Sequence, residues 1–255
     1  MKKKLIIFGI VMLSIILIIG IELYLFLKNE DVLNKEHVID NEITILDVDV
    51  DYVNLNILKG DKLKIETNNR YIAVREIGKK LVVEEKEHSN ATVTKYDNDL
   101  TIYMPEKEYN YLFLDAGAGT VLLENLSFKK AKIDLGTGKA TIKNFITINT
   151  IKLKASSGEV NIENSEMHNL DMNLGVGLMN INAKIIGNSD IECDVGDTKI
   201  NLIGNQDDYQ VRVEKGIGNI IVNNNVVSDN TIVGKGENYI IINGGVGNIN
   251  ISFQK

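Results

Sequence analysis

Four acidic residues stand at multiples of roughly 20 residues, and of all the side chains in the sequence they are best placed to do chemistry. They are Asp115, Asp134, Asp194 and Glu214. If the chain coils with that period, Asp115 and Asp134 become neighbours that could share a cation or act on a polysaccharide. Lys154 and Asn173 interrupt the series, and neither Arg nor His joins it. We therefore expect solvated surface carboxylates, with no catalytic residue and no metal ligand.

Other reactive side chains also give no site pattern. The three histidines, His37, His88 and His168, lack metal-ligand spacing and are expected at the surface. Cys193 is the single cysteine, so an intrachain disulfide is excluded, and we expect an inert thiol in the core. The phrase GGVGNINI partly matches a calcium-binding repeat, but Ile249 stands where the ligand Asp belongs.

The glycine phrases and the tyrosines suggest binding sites that we do not expect. A phosphate-binding GxGxxG loop needs a following helix, whereas strand-like sequence follows every phrase, so no nucleotide or other cofactor is predicted. Tyr103, Tyr109 and Tyr111 could form a sugar-binding patch, but packing is the favoured interpretation in a chain without Trp.

Composition indicates an all-β protein without a nucleic-acid footprint. The chain has 21 Gly and 1 Pro, which suits short strands joined by Gly and Asn turns. Its net charge is −7, and Arg occurs only at positions 70, 75 and 212. We therefore exclude nucleic acid as a partner.

The first 30 residues predict a membrane anchor. Lys2, Lys3 and Lys4 precede an apolar run over residues 5–27 whose only charge is Glu22, near the far end. The positive-inside rule then places residues 1–4 in the cytoplasm, residues 28–42 as a linker and residues 43–255 outside the cell. The alternative is a cleaved signal peptide, but the run lacks a small-x-small cleavage site and a lipobox cysteine.

A glycine-centred phrase recurs with a period close to 20 over residues 112–255. Its second small residue falls at these seven positions: Gly119, Gly138, Gly158, Gly177, Thr198, Gly218 and Gly247. Such a period is typical of repeat architectures. A nine-residue excess precedes the last copy, and we expect residues 223–243 to form a hairpin that caps an open edge.

Apolar residues keep fixed places around each centre. The position four residues after the centre, for example, is Leu, Ile or Val in every copy: Leu123, Ile142, Ile162, Ile181, Leu202, Val222 and Ile251. Within each half of a copy the apolar positions are two apart, the strand period, but the halves are joined by a step of five. An odd step puts side chains on the wrong face, so the chain must bend at the glycine phrase.

Two architectures satisfy this pattern. We favour a β-solenoid in which each copy is one coil, over an antiparallel β-barrel or sandwich of hairpins. Polar columns also keep their type, as stacking demands: Thr141, Asn161, Asn180 and Asn201 at one outward position, and Asn125, Asn144 and Asn164 at a corner. The segment ILDVDVDYVNLNI is expected to be the first coil.

The order of these features resembles that of a known family. A strand ending in IYMP, then FLDAGAGTVLLENL and the repeated glycine phrases, is similar to the putative-adhesin family of β-strand-repeat proteins, a domain of unknown function. The likeness covers about Ile43 to Phe253. It implies a right-handed, single-stranded β-helix at the bacterial cell surface, with no catalytic residues. Ser156 and Thr198 replace glycines of the family pattern.

The sequence therefore predicts a cell-surface interaction module held in the cell membrane by residues 5–27, with cell-wall polymers or envelope proteins as partners. An accessory protein of a cell-envelope stress-response system is the first alternative. A polysaccharide-active β-helix enzyme is the more remote one.

Overall fold

The computed structural model describes residues 35–39, 42–86 and 98–254, which lie in one compact unit over residues 35–255. Strands dominate the described residues, among which the one helical element is a 3-10 turn at Gln206–Asp208. The strands are β1 (Lys35–Val38), β2 (Ile45–Tyr52), β3 (Asn54–Lys59), β4 (Lys64–Thr67), β5 (Ile72–Ile77), β6 (Lys80–Glu85), β7 (Asp99–Met104), β8 (Glu108–Glu124), β9 (Ser127–Lys143), β10 (Ile146–His168), β11 (Leu170–Ile186), β12 (Asn188–Val195), β13 (Thr198–Ile203), β14 (Tyr209–Ile217), β15 (Ile220–Val222), β16 (Asn225–Val227), β17 (Thr231–Gly234), β18 (Asn238–Val246) and β19 (Ile249–Gln254).

The expected stacking of coils is confirmed by parallel strand pairing. In β9, β10 and β11, Ile142 pairs with Ile162 and Ile162 pairs with Ile181, each residue opposite its equivalent one coil away. All three side chains are buried in one continuous apolar core. The protein is therefore an all-β, solenoid-like stack of parallel coils, and the alternative of antiparallel hairpins is wrong for the repeat region.

The bend at each phrase comes from its second glycine. Gly119, Gly138, Gly158 and Gly177 have φ between 128° and 150°, which L-residues rarely adopt. Strands β8 to β11 continue through this glycine, but their inward positions change parity there: in β11, for example, the buried positions are even-numbered before the glycine and odd-numbered after it. One positive-φ residue thus lets both halves of a coil bury their apolar side chains.

In the fifth copy, the structure corrects the predicted alignment by two residues. Gly177 stacks on Gly196 rather than on Thr198, and Thr198 pairs with Met179. Consequently Ile191 pairs with Met172, while Cys193 pairs with Leu174. A shift of two preserves the in-and-out alternation of a strand, so the apolar pattern could not reveal this error.

The coils do not stack in chain order at either end. From one end to the other the order is β6 with β7, β2 with β3, β8, β9, β10, β11, β12 with β13, β18 with β19, and β14 with β15. As expected, β2 and β3 form the first coil of the chain, but in the stack the coil of β6 and β7 lies outside them. The last coil in sequence is inserted between two earlier ones.

Antiparallel strands cover both ends of the stack. At one end β5 pairs with β6, β4 with β7, and β1 with β4. At the other end β17 pairs with β14 and β16 with β15. The hairpin expected over residues 223–243 is therefore replaced by two separate covering strands, and its final residues lie in β18, inside the stack.

Asparagines turn the corners between coils, as their spacing suggests. Asn125, Asn144 and Asn164 have φ of 58°, 48° and 49°. Asn tolerates this left-handed conformation better than other non-glycine residues. The Nδ2 group of Asn144 donates to Oδ1 of Asn125 at 2.9 Å, so these two corners are also linked by their side chains.

The predicted cytoplasmic residues 1–4, the span 5–27 and most of the linker lie outside the described residues. Residues 35–38, assigned to the linker 28–42, form β1 and pair with β4. Over 35–39, 42–86 and 98–254 there is no helix that combines the length and apolar character needed to cross a bilayer.

Candidate functional site

The parity change at each glycine gives the stack two outward faces, one from each half of every coil. In coils β9 to β12, two outward rows of the first half form what we call the charged face: Lys132, Asp134, Lys152, Lys154, Asp171, Asn173, Asp190 and Glu192. The corresponding rows of the second half, in β9 to β13, are Thr141, Lys143, Asn161, Glu163, Asn180, Asn182, Lys199 and Asn201. Ordered rows of side chains are what this architecture offers a partner.

Two ion pairs occupy half of the charged face. The Nζ group of Lys132 lies 2.7 Å from a carboxylate oxygen of Asp134, and that of Lys152 lies 2.7 Å from Asp171. These side chains are 28–53% exposed, so each pair stabilises the fold only weakly. Lys154 has no ion-pair partner among the described residues, which leaves it available for an external anion.

An acidic row lies at one end of this face. Asp115 and Asp134 pair in register, as predicted, and Asp49 and Glu84 extend the row. Burial raises the pKa of the Asp49 carboxyl, and the neighbouring carboxylate of Asp115 raises it further. Among the described residues, no cluster of three or more His, Cys, Asp or Glu side chains could hold a metal ion.

One member of the predicted acidic column, Asp194, is wrong, and another, Glu214, has a different neighbour from the one expected. Asn173 pairs with Glu192, so Glu192 occupies the place expected for Asp194. The same two-residue shift in the fifth copy causes this error. Glu214 does belong to the row, but Asn243 of the inserted coil separates it from Glu192. Lys154 and Asn173 interrupt the row where the sequence places them, so its carboxylates do not converge.

The three candidate sugar-binding tyrosines are not brought together. Tyr109 is buried, and its hydroxyl donates to the carbonyl oxygen of Pro105 at 3.0 Å. Burial raises the pKa of Tyr109 to about 12. Tyr111 lies on the same face as the charged rows, with its ring stacked 3.9 Å from that of Phe113, whereas Tyr103 lies on the opposite face.

We define the amide face as six neutral side chains in the second halves of coils β10 to β13 and β19. They are Asn161, Asn180, Asn182, Asn201, Asn250 and Ser252. The Nδ2 group of Asn180 donates to Oδ1 of Asn161 at 2.9 Å, and that of Asn201 donates to Oδ1 of Asn182 at 2.9 Å. These bonds join one coil to the next, so the face is an ordered ladder.

The sequence located only part of the amide face. Thr141, Asn161 and Asn180 do share an outward row, as predicted. Asn201 instead pairs with Asn182 in the adjacent row, because of the shift in the fifth copy. Asn250 and Ser252 were missed, although both alternate with the buried Ile249 and Ile251, and that alternation could have identified them.

Exposed aliphatic side chains follow the glycine corner on four consecutive coils. Val176, Val195, Val246 and Ile217 pair in register and are 45–71% exposed. Each lies directly before the positive-φ glycine of its phrase, and its side chain points outward. The stripe covers three strand spacings, roughly 15 Å from first to last, which is small for a stable protein interface.

An open cavity of about 280 Å³ lies near the amino-terminal end of the described residues, beside Ile39 and Ile43. Its apolar lining comes from Ile39, Ile43, Leu63 and Pro105, together with the ring of Tyr109. Two lysines also line it: Lys62 and Lys107. This cavity is slightly smaller than ordinary small-molecule sites. The hydroxyl of Tyr109 already donates a hydrogen bond to the carbonyl oxygen of Pro105, so it is not free to donate to a ligand.

The remaining candidate side chains show no activation. Cys193 is buried in an inward column, and burial raises the pKa of its thiol, which keeps it in the unreactive protonated form. His37 is exposed, and Nε2 of His168 lies 3.2 Å from Oε1 of Glu166. His88 lies outside the described residues.

Comparison with known proteins identifies the architecture. A family model described as Toastrack DUF4097 matches residues 39–233. The chain is similar to a solved structure named a putative adhesin from Bacteroides fragilis, with 14% identity and a TM-score of 0.50 over 86% of this chain and 96% of that one. It is also similar to a solved putative cell adhesion protein from Clostridium sporogenes, with 22% identity and a TM-score of 0.36 over 87% and 99% of the two chains. Among curated proteins no match is found.

Proposed function

The chain belongs to the Toastrack DUF4097 family, and on that premise we propose that it is a non-enzymatic, membrane-anchored interaction module of the bacterial cell surface. One observation carries the proposal. Equivalent outward positions pair in register from coil to coil, so the stack presents ordered rows of side chains on two faces. Such faces suit extended polymers or flat protein surfaces. The similar structure from Bacteroides fragilis is named for adhesion, which agrees with this function.

The proposed location rests on the amino-terminal sequence. Residues 5–27 span the membrane, residues 1–4 remain in the cytoplasm, and the repeat domain, residues 43–255, lies outside. The partners are then cell-wall polymers or envelope proteins. A domain in that compartment without a disulfide depends on packing and on strand pairing for its stability.

A binding rather than a catalytic role fits the side chains on the faces. Catalytic acids and bases are expected to converge on one reacting position, usually in a cleft that excludes water. Here Asp115 and Asp134 stand in an open row, and Asp134 is already paired with Lys132. We also propose that the coils wind in the right-handed sense, as crossovers between parallel strands of one sheet almost always do.

Two measurements test this function in whole cells. Protease added to intact cells should degrade the repeat domain of the full-length chain, because the domain lies outside the membrane. The isolated unit 35–255, which contains the whole described core, should then be retained by the surface of cells that lack the gene. A domain protected from protease would contradict the location, and absence of retention would contradict the interaction role.

A further inference from the structure

The two faces of the same coils differ sharply in charge. Of the eight outward side chains that form the charged face, seven are charged, the exception being Asn173. Of the eight corresponding side chains on the opposite side, three are charged: Lys143, Glu163 and Lys199. The first two form an ion pair at 3.3 Å. Since both faces belong to the same strands, stacking alone does not demand this difference.

The amides on the second face are held in fixed orientations. Asn161 accepts from Asn180 at 2.9 Å and donates to Oε1 of Glu159 at 2.7 Å. Ser252 donates to Oδ1 of Asn201 at 3.0 Å. A primary amide has two N–H donors and a carbonyl oxygen with two lone pairs, so Asn161 and Asn180 each keep an N–H group and a lone pair for a ligand. Asn201 keeps one lone pair, because its two N–H groups donate to Asn182 and to Gln254.

We propose that the amide face binds an uncharged polysaccharide. A polyhydroxylated chain needs many neutral donors and acceptors, and the ladder provides them about every 4.8 Å along the stack, close to the length of one sugar ring. Pre-orientation lowers the entropy cost of each contact, and repetition along the chain adds the contacts together. This inference rests on the proposed surface-interaction function and assigns a ligand class to one of its faces.

The composition of the face argues against the two other classes of partner. Protein interfaces concentrate their binding energy in Trp, Tyr and Arg, and the amide face contains none of these. An acidic polymer would require a cluster of cations. Over the described coils β11 to β13 and β19, Lys199 lies within the rows of amides, and Lys184, two residues after Asn182, is paired with Glu166 at 3.2 Å. Uncharged hydroxyls remain the groups that match amide and hydroxyl side chains.

Strand β11 supplies a matched pair of variants. Asn180 on the amide face donates one 2.9 Å bond to Asn161, and Asn173 on the charged face donates one 2.9 Å bond to Glu192. Both side chains are half-buried. Replacement by Val keeps strand propensity and removes one inter-coil bond in either case, so Asn180→Val and Asn173→Val should have similar thermal midpoints.

The experiment measures retention of the full-length chain, in detergent, on insoluble cellulose, on chitin and on immobilised polyglutamate as an anionic comparator. Retention by an uncharged polymer that Asn180→Val weakens about three- to tenfold, and that Asn173→Val leaves unchanged, is the expected result. Equal effects of both variants, or polyglutamate as the one polymer retained, would overturn the inference. Failure on both uncharged polymers with continued retention by intact cells would also overturn it and would leave the proposed function standing.

Discussion

The carbonyl oxygen of Gly158 lies 1.8 Å from the point where a Cβ atom on Gly177 would stand. These glycines hold the same place in successive coils, and the backbone of one passes directly over the backbone of the other. Gly138 and Gly158 repeat the relation at 1.9 Å. Glycine is therefore required in this column for two reasons: the backbone has a positive φ, and the coils approach too closely for a side chain.

Substitution of Gly177 by Ala should destabilise the protein severely, by more than about 3 kcal/mol, because neither the backbone conformation nor the space admits a methyl group. Gly78 provides the control, since its φ is +61° but nothing lies within 4 Å of an added Cβ. Gly78→Ala should cost only about 1 kcal/mol. Urea unfolding of both variants measures the difference, and equal losses would show that the contact between coils is unimportant.

Charges placed in the interior column should be far more damaging than charges on the amide face. Ile142→Asp and Ile181→Asp each bury an unpaired carboxylate beside Ile162, and each should cost more than about 3 kcal/mol. Asn161→Asp changes an outward side chain and should be milder, despite the nearby carboxylate of Glu159. If thermal unfolding tolerated all three equally, the assignment of inward and outward positions would be wrong.

The sequence determines the coil but not the order of coils. Apolar residues two apart, with a step of five across the glycine, identify the inward positions of β8 to β11, because burial and the glycine bend are local properties. It cannot detect a shift of two, which is why Thr198 was aligned with Gly177 in place of Gly196. Nor can it place β18 and β19 between earlier coils, because the apolar columns of all coils are interchangeable.

At the corners between coils, Asn144 should tolerate Gly better than Ala. Its φ of 48° costs an Ala residue about 1–2 kcal/mol, and either substitution loses the 2.9 Å bond to Asn125. We expect Asn144→Ala to lower stability by about 2 kcal/mol, and Asn144→Gly by less than about 1 kcal/mol. Chemical unfolding distinguishes the two variants. A glycine variant as unstable as the alanine variant would mean that the side-chain bond, not the left-handed backbone, governs this corner.

Removing one carboxylate from the acidic row should stabilise the protein at neutral pH. The pKa of Asp49 is raised in the folded protein, first by burial and then by Asp115, so the folded state holds this proton more tightly than the unfolded state. Stability therefore falls as pH rises from the ordinary pKa of an aspartate to the raised one, and the whole penalty is present above it.

Asp49→Asn should remove that penalty, with a gain below about 1 kcal/mol because the side chain is only partly buried and more than a third of it contacts water. The gain should vanish in acid and shrink in high salt. Asp171→Asn serves as the control, because its carboxylate lies 2.7 Å from Lys152 and its loss should bring no gain. Unfolding midpoints at pH 7 and pH 3 measure the effect. A gain in stability for Asp49→Asn that is as large at pH 3 as at pH 7 would contradict the prediction.

The two outward faces could be predicted only in part from the sequence, as was also the case for the order of the coils. Asn161 and Asn180 were recognisable because like residues recur at one position in consecutive copies. The asymmetry between the charged and amide faces depends on where the parity change falls, which requires the bend at the glycine to be located in space. The aliphatic stripe at Val195 and Val246 was hidden, since in sequence these residues resemble core positions.

The most direct test of the stack is its order near the carboxyl terminus, probed by disulfide formation between exposed stripe residues. Val195 pairs with Val246, and Val246 pairs with Ile217, so Val195 and Ile217 lie two strand spacings apart, about 10 Å. In a Cys193→Val background, Val195→Cys with Val246→Cys should form a disulfide on mild oxidation, because adjacent strands bring the Cα atoms within about 6 Å. Val195→Cys with Ile217→Cys should remain reduced. The reverse outcome would mean that the coils stack in chain order, which would contradict the insertion of β18 and β19 between earlier coils.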